Sequence, residues 1–353
     1  MLPVFLAGAF FFSLLAVSGE LTSVDEYAAR AAAREPLIYQ AAYTFGSESR
    51  FKALTARDRG AQVLAVGTSR VMQLRGEEFP AGDFYNAGGA VSSLGQIRPF
   101  LQYLPAESRP ETVILCLDQF FFSGWDALSS PSQSYEPASP RFETADAFFR
   151  LLRDFSLGKI DPVAILTADK NVIGVSARSR GSGFLPDGSY RYGKTALAPD
   201  LSFPVEMEAV RDGSGRFLHA DEVYAPALQE LERLLDFCRA EGIAVVAFSP
   251  PYAPSLYAAM AESGGYGYLD GLAEKLGALC QKYGAEYYDF TCGPNAVDEE
   301  FIDGYHGGDR VYARMVKAML EAGSLLNKYA APAAIDALLA LPGGNPRVIE
   351  IPE

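Results

Sequence analysis

The feature that most constrains this chain is a series of short apolar runs, each stopped by turn-forming residues and separated by helix-like stripes. Val63–Val66 stops at Gly67, and Asp83–Tyr85 runs into Asn86-Ala87-Gly88-Gly89. Val113–Leu117 stops at Asp118, Ile243–Phe248 at Ser249-Pro250-Pro251, and Glu286–Phe290 forms a weaker fifth run. Such runs are too short for core helices, and their lack of alternation implies strands buried on both faces. The intervening stripes have helical spacing. Pro226 opens one that continues through Leu228, Leu231, Leu235 and Cys238 to Gly242. Leu269, Leu272, Leu276 and Leu279 form another before Gly284, and a third runs from Asp309 to Ala322 before Gly323. Strands and helices in alternation predict an α/β fold with a doubly wound, parallel five-stranded sheet.

The alternation breaks between Trp125 and about Ala220, where Ser, Pro, Gly and Arg dominate. Gly181–Tyr192 reads as a hairpin with Asp187-Gly188 at its tip, and Phe148–Phe155 reads as helical. A structureless loop of this length is improbable, so the region is expected to fold as an inserted cap over the sheet's active edge. Residues 1–18 carry no charge, and the first ionisable side chain is Glu20. This stretch sits at the lower limit for a bilayer-spanning helix. It also resembles a signal-peptide core, although no Lys or Arg precedes it; a buried helix is the third reading. The expected layout is a membrane anchor or signal at 1–22, an α/β domain from 23–125 and 221–323, an inserted cap at 126–220, and a tail at 324–353. A helix is expected within the tail at Ala333–Leu341.

Charge and residue counts exclude several classes. Thirty Lys and Arg against 44 Asp and Glu leave a net charge of −14. That is opposite to a nucleic-acid footprint and to basic docking on anionic lipid. Cys116, Cys238, Cys280 and Cys292 form no C-x-x-C pair, which argues against a thiolate zinc site, and no metal or cofactor is expected. Cys116 reads as a small buried hydrophobe, while a pairing of Cys280 with Cys292 stays open. His219 and His306 are the only two histidines.

Ligands in open α/β sheets bind outside the carboxyl ends of the strands. Those ends deliver Gly67-Thr68-Ser69-Arg70, Asn86-Ala87-Gly88-Gly89, Asp118-Gln119 and Ser249-Pro250-Pro251, with Asp303-Gly304-Tyr305-His306 after the last strand. Ser69 is either a nucleophile projected from a tight turn or a helix cap. Gly88 and Gly89 let a backbone N–H approach an oxyanion, or serve a turn with positive φ. Asn86 offers its amide to the same oxyanion or closes an Asx-turn. Asp303 can hold one nitrogen of His306 and leave the other to take a proton from serine; alternatively, both are capping residues. Arg70 either holds an anionic substrate or pairs with Asp118. Trp125, Tyr190 and Tyr192 are sugar-stacking platforms in the cap or core residues.

Gly67-Thr68-Ser69, Asn86-Ala87-Gly88-Gly89 and Asp303-Gly304-Tyr305-His306 resemble blocks one, two and five of the SGNH (GDSL-like) hydrolase superfamily. The resemblance covers roughly residues 60–125 and 221–320. It implies a flavodoxin-like sheet and a triad of Ser69, His306 and Asp303. The N–H groups of Ser69 and of Gly88 or Gly89 would bind the oxyanion. The Gly-Thr-Ser-Arg form, the apolar N-terminus and the large insertion are similar to the superfamily's exported branch, which includes polysaccharide O-acetyltransferases and teichoic-acid D-alanylation proteins. By that likeness the chain is a membrane-anchored, extracytoplasmic serine acyltransferase or esterase acting on a cell-envelope or secreted polysaccharide. Its acyl groups would come from a membrane-bound O-acyltransferase, and no cofactor is implied. The third block departs from the pattern. Leu117-Asp118-Gln119 stands where the superfamily places an Asn donor. An ionised Asp118 only accepts hydrogen bonds, so either Gln119 substitutes as donor or Asp118 simply caps the next element or pairs with Arg70. Losing one donor costs about 2.7–4 kcal/mol in the transition state. The alternative expectation is a catalytically inactive SGNH-fold protein that binds a polymer or a membrane O-acyltransferase.

Overall fold

Five parallel strands, β1 (Val63–Val66), β2 (Phe84–Asn86), β3 (Thr112–Cys116), β4 (Ala244–Ser249) and β5 (Glu286–Asp289), form the central sheet in the order β2-β1-β3-β4-β5. They appear in a computed structural model that describes residues 2–43, 47–129, 140–193 and 196–350. Met1 of the expected anchor, 44–46 of the α/β domain, 130–139 and 194–195 of the insert and 351–353 of the tail lie outside the described residues. Every residue of β1, β2 and β3 is buried, as continuous apolar runs require of a sheet covered on both faces. β5 is only half-buried, which accounts for its weaker apolar signal. The chain runs from β1 outward to β2 and then back past β1 to β3. The order therefore reverses at β1, the place where a doubly wound sheet opens its crevice.

The helices follow in chain order. Helices α1 (Leu2–Ser18), α2 (Val24–Ala32) and α3 (Ser47–Arg59) precede the sheet, and α4 (Leu94–Tyr103) joins β2 to β3. Helices α5 (Pro140–Ser156), α6 (Pro162–Thr167), α7 (Val175–Arg180) and α8 (Pro204–Asp212) occupy the expected insert. The second half holds α9 (Ala225–Ala240), α10 (Pro254–Ser263), α11 (Leu272–Lys282), α12 (Asp309–Glu321) and α13 (Pro332–Leu339). Helix α9 packs against both α4 and α11, while α12 sets Tyr312 edge-on to Phe248 of β4 and carries α13.

The insert and the N-terminal segment fold together. Residues 38–39 lie parallel to 172–173 and antiparallel to 183–184, which pair in turn with 190–191. Tyr27, Leu37, Tyr39, Phe51, Ile173 and Phe184 form a separate apolar cluster beneath this small sheet. The expected hairpin is present, and its tip lies against the outer edge of β2. Asp187 accepts the Asn86 N–H through its carbonyl (2.7 Å) and the Gly76 N–H through its side chain (2.6 Å). The hairpin thus closes an open sheet edge, while residues 203–217 return to the strand ends.

Helix α1 is docked along its second half. Phe11, Leu14 and Leu15 are buried with Ala147, Leu151, Ile165 and Val175. Beyond it, the Glu20 carboxylate takes the N–H groups of Ala42 and Tyr43 at 2.7 Å and of Val175 at 2.8 Å. Among the described residues no helix is long and apolar enough to cross a membrane. All four cysteines are free thiols, so Cys280 and Cys292 are not paired.

Candidate active site

The site begins at the end of β1, where Gly67 has no room for a side chain: a Cβ there would stand 2.6 Å from Cys116 Cβ. Thr68 caps the next turn, accepting the Arg70 N–H at 3.3 Å and donating its hydroxyl to Asp118 at 2.8 Å. Ser69 opens a single 3₁₀ turn, Ser69–Val71, and is only partly exposed. Its Oγ lies 2.7 Å from His306 Nε2. On the other side of the ring, His306 Nδ1 lies 2.7 Å from Asp303 Oδ2.

A short hairpin just ahead of α12, rather than a helical turn, brings Asp303 and His306 together, with the two residues paired across its ladder. The second oxygen of Asp303 accepts the N–H groups of Tyr305 (3.0 Å) and His306 (2.8 Å). Burial works to raise the Asp303 pKa, but His306 and these donors hold it below the ordinary carboxylate value. An ionised Asp303 selects the tautomer with its proton on Nδ1, leaving the Nε2 lone pair for the serine hydroxyl. The tail supports this hairpin from behind. Arg347 donates to the Phe301 carbonyl at 2.6 Å and accepts the Asp309 N–H at 2.7 Å.

Arg70 faces inward and does not meet substrate space. Its Nε donates to the Tyr305 carbonyl (2.9 Å), Nη1 to Asp118 (3.2 Å) and Gln119 (2.8 Å), and Nη2 to the carbonyls of Pro250 (3.1 Å) and Pro251 (2.7 Å). All the guanidinium donors are engaged, and the residue is buried beside the Tyr252 ring. Arg70 therefore ties the ends of β1, β3 and β4 to the His306 hairpin. Burial raises the pKa of Asp118, opposed by Arg70 and the Thr68 hydroxyl.

Apart from the Ser69 N–H, the expected oxyanion donors Gly88, Gly89, Asn86 and Gln119 are committed elsewhere, a correction to those expectations, with Asn86 in the Asx-turn that is its alternative reading. Asn86 donates both amide hydrogens, to the carbonyls of Val71 (2.8 Å) and Leu74 (2.9 Å), and its Oδ1 accepts the Gly88 N–H (2.8 Å). The Gly89 N–H goes to Gly67 O at 3.0 Å. Gln119 donates to Pro250 O (2.7 Å) and Thr291 Oγ1 (3.0 Å) while accepting from Arg70. The physical reason is common to all: buried polar groups at crowded strand ends must find partners, and these found one another. Among the described residues no acceptor takes the Ser69 N–H.

Outside the triad, His219 bonds the Val210 carbonyl at 2.8 Å and plays no part in the site. Tyr190 belongs to the flanking small sheet, with its hydroxyl on Gln40 at 2.9 Å, and Tyr192 packs edge-on against it. Trp125 stands edge-on to Phe120. Two residues absent from the sequence reading reach the triad hairpin from the insert. Glu206 packs over Gly304, and Arg216 lies over the Tyr305 ring. Both sit in a segment with no periodic pattern, so nothing in the local sequence marked them. Among the described residues no group of His, Cys, Asp and Glu side chains could hold a metal ion. The chain matches no protein-family model and no curated protein.

Proposed function

We propose that this chain is a serine acyltransferase or esterase of the SGNH type, working outside the cytoplasm on a cell-envelope or secreted polysaccharide. The observation that carries this reading is the unbroken relay from Ser69 through His306 to Asp303, with 2.7 Å at each junction. It stands at the sheet's switch point, in a strand order shared with flavodoxin-like folds. Ser69 Oγ attacks the acyl carbonyl while His306 Nε2 takes its proton. His306 then returns that proton to the leaving alcohol, and Asp303 steadies the imidazolium. An acceptor hydroxyl or water, deprotonated by the same histidine, releases the acyl group. Transfer wins over hydrolysis where water is excluded. The Ser69 N–H supplies oxyanion stabilisation, and with the other expected donors occupied, general esters should react slowly.

Attachment to the membrane through the N-terminal helix belongs to the same proposal, as does a membrane O-acyltransferase that supplies acyl groups. Its support is the apolar surface of α1 together with the exposed Phe149, Leu152, Val163 and Leu166 on α5 and α6. The test of the nucleophile is covalent labelling by a neutral serine-reactive phosphonate: wild type takes one label and Ser69→Ala takes none. No label on wild type, or an equal label on the variant, rejects the enzyme. The engaged oxyanion donors favour one competing reading, a binding protein that keeps the fold without the chemistry. In that case Ser69→Ala leaves the cellular phenotype unchanged.

A further inference from the structure

Arg216 is distinguished by what it lacks. It sits in the 3₁₀ turn Gly215–Phe217 and reaches the hairpin that carries His306. Its guanidinium carbon stands 4.5 Å from the centre of the Tyr305 ring and 5.7 Å from the rings of Phe120 and Trp125. The Tyr305 ring is in turn 4.2 Å from the His306 imidazole. One aromatic ring therefore touches both the charge and the proposed general base. Arg216 is half-buried, yet its side chain makes no hydrogen bond or ion pair among the described residues, and Asp118 and Glu206 act on it only through space. Glu206, over Gly304, does not pair with it.

Rings against a guanidinium satisfy its flat faces and hold it in one plane. Its N–H donors lie along the edge of that plane and remain unassigned. A planar fork of donors, held rigid and partly desolvated beside a nucleophile, matches an anionic oxygen pair on a ligand. The partly exposed Trp125 beside it favours a sugar ring carrying that anion, since a sugar presents an apolar face to a ring.

We propose that Arg216, on its platform of Tyr305, Trp125 and Phe120, is an anion subsite that holds a carboxylate or phosphate of the saccharide next to Ser69. This deepens the enzyme reading, because its position in the reaction rests on Ser69 being the nucleophile. The subsite itself is tested separately, by binding. Trp125 is the only tryptophan in the chain, so its emission reports directly from the platform.

Intact protein is titrated with glucuronate, glucose 6-phosphate and glucose while tryptophan emission is followed. Saturable change with at least one of the acidic sugars, and none with glucose at equal concentration, supports the subsite; the two acids show whether carboxylate or phosphate is preferred. Arg216→Gln should weaken acid binding about tenfold or more. Arg216→Lys, which keeps charge but loses the fork, should fall between. Circular dichroism confirms that both variants fold. Ser69→Ala should bind the acids like wild type, so loss of labelling and loss of anion binding remain separate results. Glucose binding as well as glucuronate, unchanged acid binding by Arg216→Gln, or no saturable response to either acid overturns the subsite.

Discussion

At the scale of single residues, Arg70 joins stability to the site. It is a buried cation whose donors are all taken, one by Asp118 and one by the carbonyl of Tyr305, the neighbour of His306. Removing one member of a buried ion pair strands the other, at a cost of about 3–5 kcal/mol. Arg70→Met should therefore lower the unfolding free energy by that amount, read as a lower denaturant midpoint at unchanged m, and Arg70→Lys should recover only part of it, because an ammonium cannot span the same acceptors. Unfolding curves that superimpose on wild type would show that this hub carries no weight. On the proposed relay, Asp303 would act on chemistry rather than on folding. Asp303→Asn keeps an oxygen for the N–H groups of Tyr305 and His306 but loses the charge that fixes the tautomer. Phosphonate labelling should slow by ~10²–10⁴-fold while thermal unfolding stays close to wild type. A labelling rate within a factor of a few of wild type would remove Asp303 from the relay.

Among the elements, the 183–191 hairpin makes the clearest case for what an insert contributes. Lys52 of α3 is fully buried beneath it and donates to the carbonyls of Asn86 (2.7 Å) and Gly188. Burial lowers its pKa to about 7, against the opposing pull of Asp187 and Glu48. In the unfolded chain Lys52 keeps a proton up to the ordinary lysine value of 10.5. Between these values the unfolded state binds more protons than the folded state. Stability therefore rises with pH across that window, by at most about 1.4 kcal/mol per unit. Lys52→Met should flatten this slope in chemical unfolding measured from pH 7 to 10; an unchanged slope would mean that Lys52 stays charged in the fold. Helix α3 also shows why part of the architecture was hidden in the sequence. The main strands were legible because buried parallel strands are continuously apolar, and α9, α11 and α12 because each has one apolar stripe. Helix α3 mixes Arg50, Lys52, Arg57 and Arg59 with buried Phe51, Ala53 and Leu54. No stripe survives when a lysine is buried to bond carbonyls. Half of the small sheet was equally silent: its 183–191 hairpin was legible from Asp187-Gly188, but residues 38–39 and 172–173 are too short to show a period, and Ile38 finds Val172 far along the chain. Ser69, Asp303 and His306 stood out because strand ends are where chemistry collects. The Arg70–Asp118 pair and the Asx-turn at Asn86 are among the readings the sequence leaves open; the carbonyl partners of Asn86, Gln119 and Arg70 depend on how several ends crowd together, which no local pattern encodes.

For the whole molecule, the question is how so acidic a body would meet the membrane that the proposed function requires. A net charge of −14 repels anionic headgroups, so the membrane attachment proposed above would have to come from apolar burial. Helix α1 has 17 residues, about 25 Å at 1.5 Å per residue, against a hydrocarbon core of about 30 Å. Its second half is already docked on α5 and α6. Those three helices leave Phe10, Phe12, Phe149, Leu152, Val163 and Leu166 exposed, and we take these side chains as the face offered to lipid. We expect an attachment in which this face lies in the interfacial region with α1, rather than one helix hanging from an independent body. The protein should then float with vesicles of neutral phosphatidylcholine, and high salt should not release it, because no charge attraction is involved. Phe149 and Val163 are 67% and 68% exposed, so replacing both with Glu should leave the circular dichroism spectrum unchanged. Each side chain withdrawn from the apolar phase forfeits about 1.5–3 kcal/mol when burial is complete. The double variant should consequently partition at least about tenfold less. Flotation equal to wild type would confine the membrane contact to α1 and remove α5 and α6 from it.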